Sequence, residues 1–144
     1  MNPSTILLIE DNPDDILLTQ RAFTQNNIVN ILDVVRDGAE ALDYLFSAGA
    51  YAGRDPRSMP ILILMDIKLP KLDGLETLRR IRSDVRTKLL PVVVLTSSLE
   101  DQDILKSYSL GANSYVRKPV DFQKFIDAVK HLGIYWLAIN QPPC

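Results

Sequence analysis

Five short runs of aliphatic and β-branched residues recur along the chain, separated by segments with helical spacing. Three of these runs show no alternation of polar and apolar residues, which is typical of strands buried on both faces of a sheet. Regular alternation of strand and helix predicts a parallel sheet with helices on both sides. We therefore predict an α/β fold. The five runs are residues 6–9, 31–35, 61–65, 92–95 and 114–116.

Helix-start signals follow the first two runs. Asn12 can cap the first free N–H groups of a helix, and Pro13 suits the first helical position. Asp37 is followed three residues later by Glu40, a variant of the capping box. Further helices are predicted for residues 74–81, for residues 100–110 ahead of Gly111, and from residue 121 onward, while residues 47–60 form a long loop.

Length and charge limit the classes of protein. The chain has 144 residues, 16 Lys and Arg against 18 Asp and Glu, and a single cysteine, Cys144. We expect one domain over residues 1–144, without a disulfide framework. The small negative charge argues against binding nucleic acid. No apolar run is long enough to span a bilayer, and the start does not resemble a secretory signal. We therefore expect a cytoplasmic protein with no membrane partner.

Polar residues follow the predicted strands at the points where those strands end. Glu10 and Asp11 follow the first run, Asp66 the third, Thr96 the fourth and Lys118 the fifth. In an open parallel sheet, ligands bind at the carboxyl ends of the strands. Three acids meeting there would repel one another unless a cation lies among them. An oxygen-only ligand set favours Mg²⁺.

Asp66 is the best candidate for a reactive carboxylate, because it ends the most hydrophobic run. With a metal and an amine neutralising the site, such a carboxylate can act as a nucleophile toward a phosphoryl group. Lys118 and the Thr96 hydroxyl could each hold a phosphoryl oxygen. Phosphoryl transfer depends mostly on positioning and charge neutralisation, so it requires no general base.

Four segments at these strand ends resemble the receiver domains of two-component response regulators. They are the acidic opening Leu-Leu-Ile-Glu-Asp-Asn, the acceptor loop Asp-Ile-Lys-Leu-Pro-Lys-Leu-Asp-Gly, the hydroxyl segment Leu-Thr-Ser-Ser and the final Gly-Ala-Asn-Ser-Tyr-Val-Arg-Lys-Pro. Each is weak alone, but four in the family's order are specific. The resemblance covers nearly the whole chain. The segments are residues 7–12, 66–74, 95–98 and 111–119.

The resemblance implies a flavodoxin-like (βα)5 sheet with strand order 2-1-3-4-5. It also implies that Asp66 accepts a phosphoryl group from a histidine kinase. Mg²⁺ would be held by Glu10 or Asp11, by Asp66 and by the backbone carbonyl of Lys68, and which of the two opening acids binds directly stays open. Phosphorylation would move Thr96 and Tyr115, and so change the surface formed by the fourth helix, fifth strand and fifth helix.

A narrower resemblance concerns the opening Glu-Asp-Asn-Pro-Asp-Asp, the long loop before the third strand and the aromatic tail. These features are similar to the small single-domain response regulators of cyanobacterial phytochromes. That resemblance implies a phytochrome-type histidine kinase, a red-light sensor, as the partner.

The segment 134–144 forms a C-terminal extension rich in large apolar residues. Left in water, these residues would make an exposed apolar patch of the kind that marks an interface. We expect a two-fold homodimer through this extension, with contacts from Tyr135, Trp136 and Leu137. The alternative is that the extension folds back over its own domain.

Two other functions stay open from the sequence. A phosphatase of the haloacid-dehalogenase type also uses Asp, Mg²⁺, Thr and Lys, but it places a second Asp two residues after the nucleophile, where this chain has Lys68. A receiver-like interaction module that is never phosphorylated is the second alternative. The main hypothesis is a switch protein and not an enzyme that turns over a substrate.

Overall fold

A computed structural model describes residues 5–96 and 108–118. Within them, five parallel strands form one sheet in the order β2-β1-β3-β4-β5. A short 3-10 helix at Gly49–Tyr51 lies between α2 and β3. The elements are β1 (Thr5–Ile9), α1 (Pro13–Gln25), β2 (Ile31–Val35), α2 (Gly38–Phe46), β3 (Leu62–Met65), α3 (Gly74–Ser83), β4 (Val92–Thr96) and β5 (Ser114–Arg117).

The strand order confirms the predicted flavodoxin-like sheet. All five apolar runs are strands, with ends that differ from prediction by one residue at most, and α3 extends two residues past the predicted end. Such differences are normal at element ends, where hydrogen bonding frays. Of the predicted helix over residues 100–110, residues 108–110 are described; Tyr108 and Ser109 are helical, and Leu110 lies in a turn. The helix predicted from residue 121 lies outside the described residues.

The central strands are buried on both faces, as their unbroken apolar sequences indicate. Alternate residues of each strand enter two separate cores, one on each side of the sheet. Leu7 and Ile63 contribute to one core, and Leu8 and Leu64 to the other. These four residues are at most 1% exposed. Helices must therefore cover both faces, which leaves the carboxyl edge of the sheet for polar groups.

Side-chain caps start α1 and α2 at that edge. Asn12 accepts hydrogen bonds from the backbone N–H groups of Asp14 and Asp15, at 2.8 and 3.2 Å. Asp37 accepts one from the N–H of Glu40 at 2.7 Å, and the Glu40 carboxylate accepts one from the N–H of Arg36 at 2.8 Å. The predicted cap at Asn12 and the predicted capping-box variant are both confirmed.

The long loop before β3 is held against α2. The Arg54 guanidinium lies 4.0 Å from the centre of the Tyr44 ring and donates a hydrogen bond to the Tyr44 carbonyl at 2.9 Å. The Tyr44 hydroxyl donates to Asp33 at 2.6 Å, and the Tyr51 hydroxyl donates to Glu40 at 2.7 Å. These contacts join the loop to α2, and α2 to β2.

The first residue of α2 lies directly against the segment that leads into α3. A Cβ atom on Gly38 would meet the Leu72 carbonyl oxygen and the Thr77 hydroxyl more closely than real Cβ atoms approach their neighbours. The Leu72 oxygen belongs to the backbone and cannot swing away. Glycine is therefore required at position 38 by this close approach.

Within the described residues, no helix is both long enough and apolar enough to cross a membrane.

We expect Gly38→Ala to lower the free energy of unfolding by about 1–3 kcal/mol, because the added methyl group forces backbone apart in a packed region. Urea denaturation would measure the change. Gly53→Ala is the matched control, since a Cβ atom there meets nothing within 4 Å. The control should leave stability unchanged or raise it by up to about 1 kcal/mol. Equal stability of the two variants would contradict the packing argument.

Candidate functional site

The carboxyl edge of the sheet brings together the predicted polar residues. Glu10 follows β1, Asp66 follows β3 and Lys118 follows β5, so parallel pairing carries all three to one place. Their backbones are held by the sheet itself. The Glu10 N–H donates to the Val35 carbonyl at 2.9 Å, and the Asp66 N–H donates to the Ile9 carbonyl at 3.1 Å.

The Lys118 ammonium is the centre of this site. It donates hydrogen bonds to Glu10, to Asp15 at 2.9 Å and to Asp66 at 2.9 Å. The Lys118 side chain is 10% exposed, and those of Glu10 and Asp66 are 3% and 12% exposed. An ammonium has three N–H donors, so these three carboxylates use its full capacity.

Burial and the neighbouring charges shift the pKa values of Glu10 and Lys118 in opposite directions. Burial raises the pKa of Glu10, and the contact with Lys118 only partly offsets it. Burial by itself would lower the pKa of Lys118, but the hydrogen bonds to Glu10, Asp15 and Asp66 outweigh burial and raise the pKa above its usual value. Lys118 therefore stays charged, and it does so because of the carboxylates around it.

Three of the acids could hold a metal ion. One carboxylate oxygen from each of Glu10, Asp11 and Asp66 lies within 4.8 Å of the others. Glu10 is buried and Asp11 is exposed, so the group is open to solvent on the Asp11 side. A set of carboxylate oxygens fits a hard divalent cation such as Mg²⁺ or Mn²⁺. Both Glu10 and Asp11 belong to the group, so the choice between them as direct ligand stays open.

The segment after Asp66 curls back over its carboxylate. The Lys68 N–H donates to Asp66 Oδ1 at 3.2 Å, and the Gly74 N–H donates to the Ile67 carbonyl at 2.7 Å. A Cβ atom on Gly74 would lie only 2.6 Å from the Ile67 Cα. Glycine is thus needed where α3 starts against this loop. Lys68 is exposed, and the role of its carbonyl as a metal ligand stays a prediction.

A surface ion pair links this loop to the start of α2. Lys71 adopts a left-handed backbone conformation, with φ of 63°. Its ammonium lies 3.5 Å from the carboxylate of Asp37, the residue that caps α2. The loop after Asp66 therefore contacts α2 as well as α3.

Thr96 and Tyr115 lie on β4 and β5, the last two strands in the order of the sheet. Thr96 is the last residue of β4 and pairs with Arg117 of β5. Tyr115 pairs with Val94 and is partly buried against the larger core cluster. Their positions agree with the predicted ones, and their movement on phosphorylation stays a prediction. Tyr135, Trp136 and Leu137 lie outside the described residues.

Asp15 is the residue that the sequence argument missed. It lies in the first turn of α1, where acids are common because they interact favourably with the helix dipole. Asp14 and Asp15 therefore look equivalent in the sequence. Only the direction in which α1 leaves β1 determines that Asp15, and not Asp14, reaches Lys118.

The sequence matches a family model and curated proteins over most of its length. The model described as a response regulator receiver domain matches residues 6–130. The probable methanogenesis regulatory protein FilR2 of Methanothrix harundinacea is 40% identical over 142 residues, which are 99% of this chain and 89% of FilR2. The response regulator Rcp1 of Synechocystis is 38% identical over 135 residues, covering 94% of this chain and 90% of Rcp1.

Solved structures agree with these matches. The bacteriophytochrome response regulator RtBRR has a TM-score of 0.85 and 48% identity, over 98% of this chain and 84% of its own. The phosphorylated cyanobacterial phytochrome response regulator RcpA has a TM-score of 0.77 and 39% identity, over 99% of both chains. The Mn²⁺-bound form of Rcp1 has a TM-score of 0.77 and 35% identity, over 99% of this chain and 100% of its own. With its strand order, its acidic edge and these matches, the chain belongs to the family of response regulator receiver domains.

Proposed function

We propose that this protein is a phosphorylation switch that accepts a phosphoryl group on Asp66 from a histidine kinase. The observation that carries the proposal is the Asp66 carboxylate at the end of β3, held 2.9 Å from the Lys118 ammonium and grouped with Glu10 and Asp11. The phosphorylated state of the similar protein RcpA supports it.

In the proposed reaction, an Asp66 carboxylate oxygen forms a bond to phosphorus while the bond from phosphorus to the kinase histidine nitrogen breaks. Negative charge gathers on the phosphoryl oxygens, and the chain must neutralise it. Lys118 contributes a fixed positive charge next to the acceptor oxygen. The Lys68 N–H keeps the other Asp66 oxygen oriented. Because phosphoryl transfer requires no general base, the step depends on geometry and electrostatics.

We propose Mg²⁺ as the metal, held by Asp66 with Asp11 and Glu10 and completed by the Lys68 carbonyl. When bound, the ion neutralises phosphoryl oxygens and orients the group for in-line transfer. The carboxylate group in this chain and the Mn²⁺-bound form of the similar protein Rcp1 support a divalent site. Glu10, Asp11 and Asp66 bring three carboxylates together beside the single ammonium of Lys118. A divalent ion would balance the negative charge that Lys118 leaves uncompensated.

The kinase that we propose is a phytochrome-type light sensor. Support comes from similarity to bacteriophytochrome and cyanobacterial phytochrome response regulators.

We propose that residues 1–144 act as one receiver domain in the cytoplasm, with residues 134–144 as an extension. The output is a change in the surface formed by the fourth helix, β5 and the fifth helix, driven by Thr96 and Tyr115.

The alternatives make different demands on the same residues. A receiver-like interaction module would need no reactive carboxylate, and the assembled group of Glu10, Asp66 and Lys118 favours the switch. A phosphatase of the haloacid-dehalogenase type would turn over a phosphomonoester. Membership of the receiver family favours self-phosphorylation and autodephosphorylation as the only chemistry of this chain.

We expect one added phosphoryl group per chain when the protein is incubated with Mg²⁺ and acetyl phosphate, measured by intact mass. Asp66→Ala should abolish the addition, because it removes the acceptor oxygen. Asp14→Ala, which removes an exposed acid near the same edge, should be modified like the wild type. Unmodified wild-type protein, beside a known receiver that is modified, would favour the interaction module.

Metal removal should stop this reaction. We expect EDTA to abolish phosphorylation, and Asp11→Asn to weaken Mg²⁺ binding by at least about tenfold, since it removes a charged oxygen ligand from a small set. Calorimetric titration with Mg²⁺ would measure the affinity, with Asp14→Asn as the control. A parallel Glu10→Gln titration compares the two opening acids. Phosphorylation at full rate in EDTA would overturn the metal assignment.

We also propose that the extension at residues 134–144 joins two copies of the chain. The support is its sequence, in which Tyr135, Trp136 and Leu137 follow one another. Sedimentation should give a dimer for the full chain and a monomer after truncation beyond Gly133. A monomeric mass for both forms would exclude the dimer.

A further inference from the structure

We propose that Asp15 is a positioning residue for phosphoryl transfer, which holds the Lys118 ammonium while Glu10 and Asp66 bind the metal and the phosphoryl group. The inference rests on the proposed function, and it assigns a role to a residue of α1. It starts from one contact, in which Asp15 Oδ2 accepts a hydrogen bond from Lys118 Nζ at 2.9 Å.

The three partners of Lys118 are not equivalent. Glu10 and Asp66 belong to the carboxylate group that can hold a metal ion, and Asp15 does not. When those two carboxylates bind a divalent cation and a phosphoryl group, their hold on Lys118 weakens, because their oxygens are shared. Asp15 is then the described partner that can keep its contact unchanged. The ammonium has to stay in place at that stage, since its charge is needed beside the phosphoryl oxygens.

The start of α1 fixes the direction of the Asp15 side chain. Asn12 caps the helix and accepts a hydrogen bond from the Asp15 N–H at 3.2 Å. The Asp15 carbonyl accepts one from the buried Thr19 hydroxyl at 2.9 Å. The backbone of Asp15 is therefore held on both sides, and its side chain is 29% exposed while it faces Lys118. Because the Asp15 backbone is already fixed, forming the ion pair with Lys118 costs little conformational entropy.

Asp14 provides a matched comparison within the same turn. Its N–H also donates to Asn12, at 2.8 Å, and its side chain is exposed. The ion pairs of Lys118 in the described structure are with Glu10, Asp15 and Asp66, and Asp14 is not among them. Both acids contribute equally to the charge near the helix start. A role limited to the helix dipole would therefore appear in both variants, whereas a role in holding Lys118 would appear only at Asp15.

The test measures the rate of phosphorylation by acetyl phosphate against donor concentration, at saturating Mg²⁺, for wild type, Asp15→Asn and Asp14→Asn. We expect Asp15→Asn to lower the ratio of maximal rate to half-saturating donor concentration by about threefold to tenfold relative to Asp14→Asn. Asp15→Glu keeps the negative charge and should recover a large part of the loss. Mg²⁺ affinity should be the same in both Asn variants, because Asp15 is not one of the carboxylates grouped to hold a metal ion.

The outcomes separate the inference from the function on which it rests. Wild-type protein that is modified on Asp66, with Asp15→Asn equal to Asp14→Asn in rate, would overturn the positioning role alone. A loss in Asp15→Asn matched by an equal loss of Mg²⁺ affinity would also overturn it, since Asp15 would then act through the metal. Wild-type protein that is not modified at all would overturn the proposed function, and the inference with it.

Discussion

The site depends on one buried ammonium and the carboxylates around it. Lys118 comes from the end of β5, and its partners come from the end of β1, the first turn of α1 and the end of β3. Like charges brought together at a sheet edge would destabilise the fold without a counter-charge. Lys118 supplies that charge from the far edge of the sheet, so the ion pairs also join elements that are distant in the sequence. The proposed phosphorylation of Asp66 would therefore act on contacts that also hold the fold together.

The packing below this edge explains how the Asp66 carboxylate is held. The loop after Asp66 lies between the starts of α2 and α3, and glycine at positions 38 and 74 permits backbone to approach backbone there. Thr77 adds a hydrogen bond from its hydroxyl to the Asp73 carbonyl at 2.7 Å. Close-packed backbone deforms little, so this packing holds the Asp66 carboxylate in a fixed place.

Most of the fold could be predicted from the sequence because its signals are local. Unbroken apolar runs identified the buried strands, and Asn12 and Asp37 marked helix starts by their own chemistry. Strand order came from family resemblance, and the described sheet confirms it. Glu10, Asp11, Asp66 and Lys118 could be placed at one edge because parallel strands end together. Asp15 could not be placed there from the sequence, since its contact with Lys118 depends on the angle at which α1 leaves the sheet. The Lys71–Asp37 pair escaped prediction for the same reason, because it joins two loops whose approach is set by packing.

The short distance in sequence between β1 and α1 has a consequence for how this segment can evolve. Only Glu10, Asp11 and Asn12 separate the strand from the helix, and Asp15 lies in the first helical turn. Each residue of an α-helix advances the side chains by about 100° around its axis. An insertion or deletion of one residue here would turn Asp15 away from Lys118 and bring a different side chain to face it. The segment over residues 10–15 therefore cannot change in length without loss of the contact between Asp15 and Lys118.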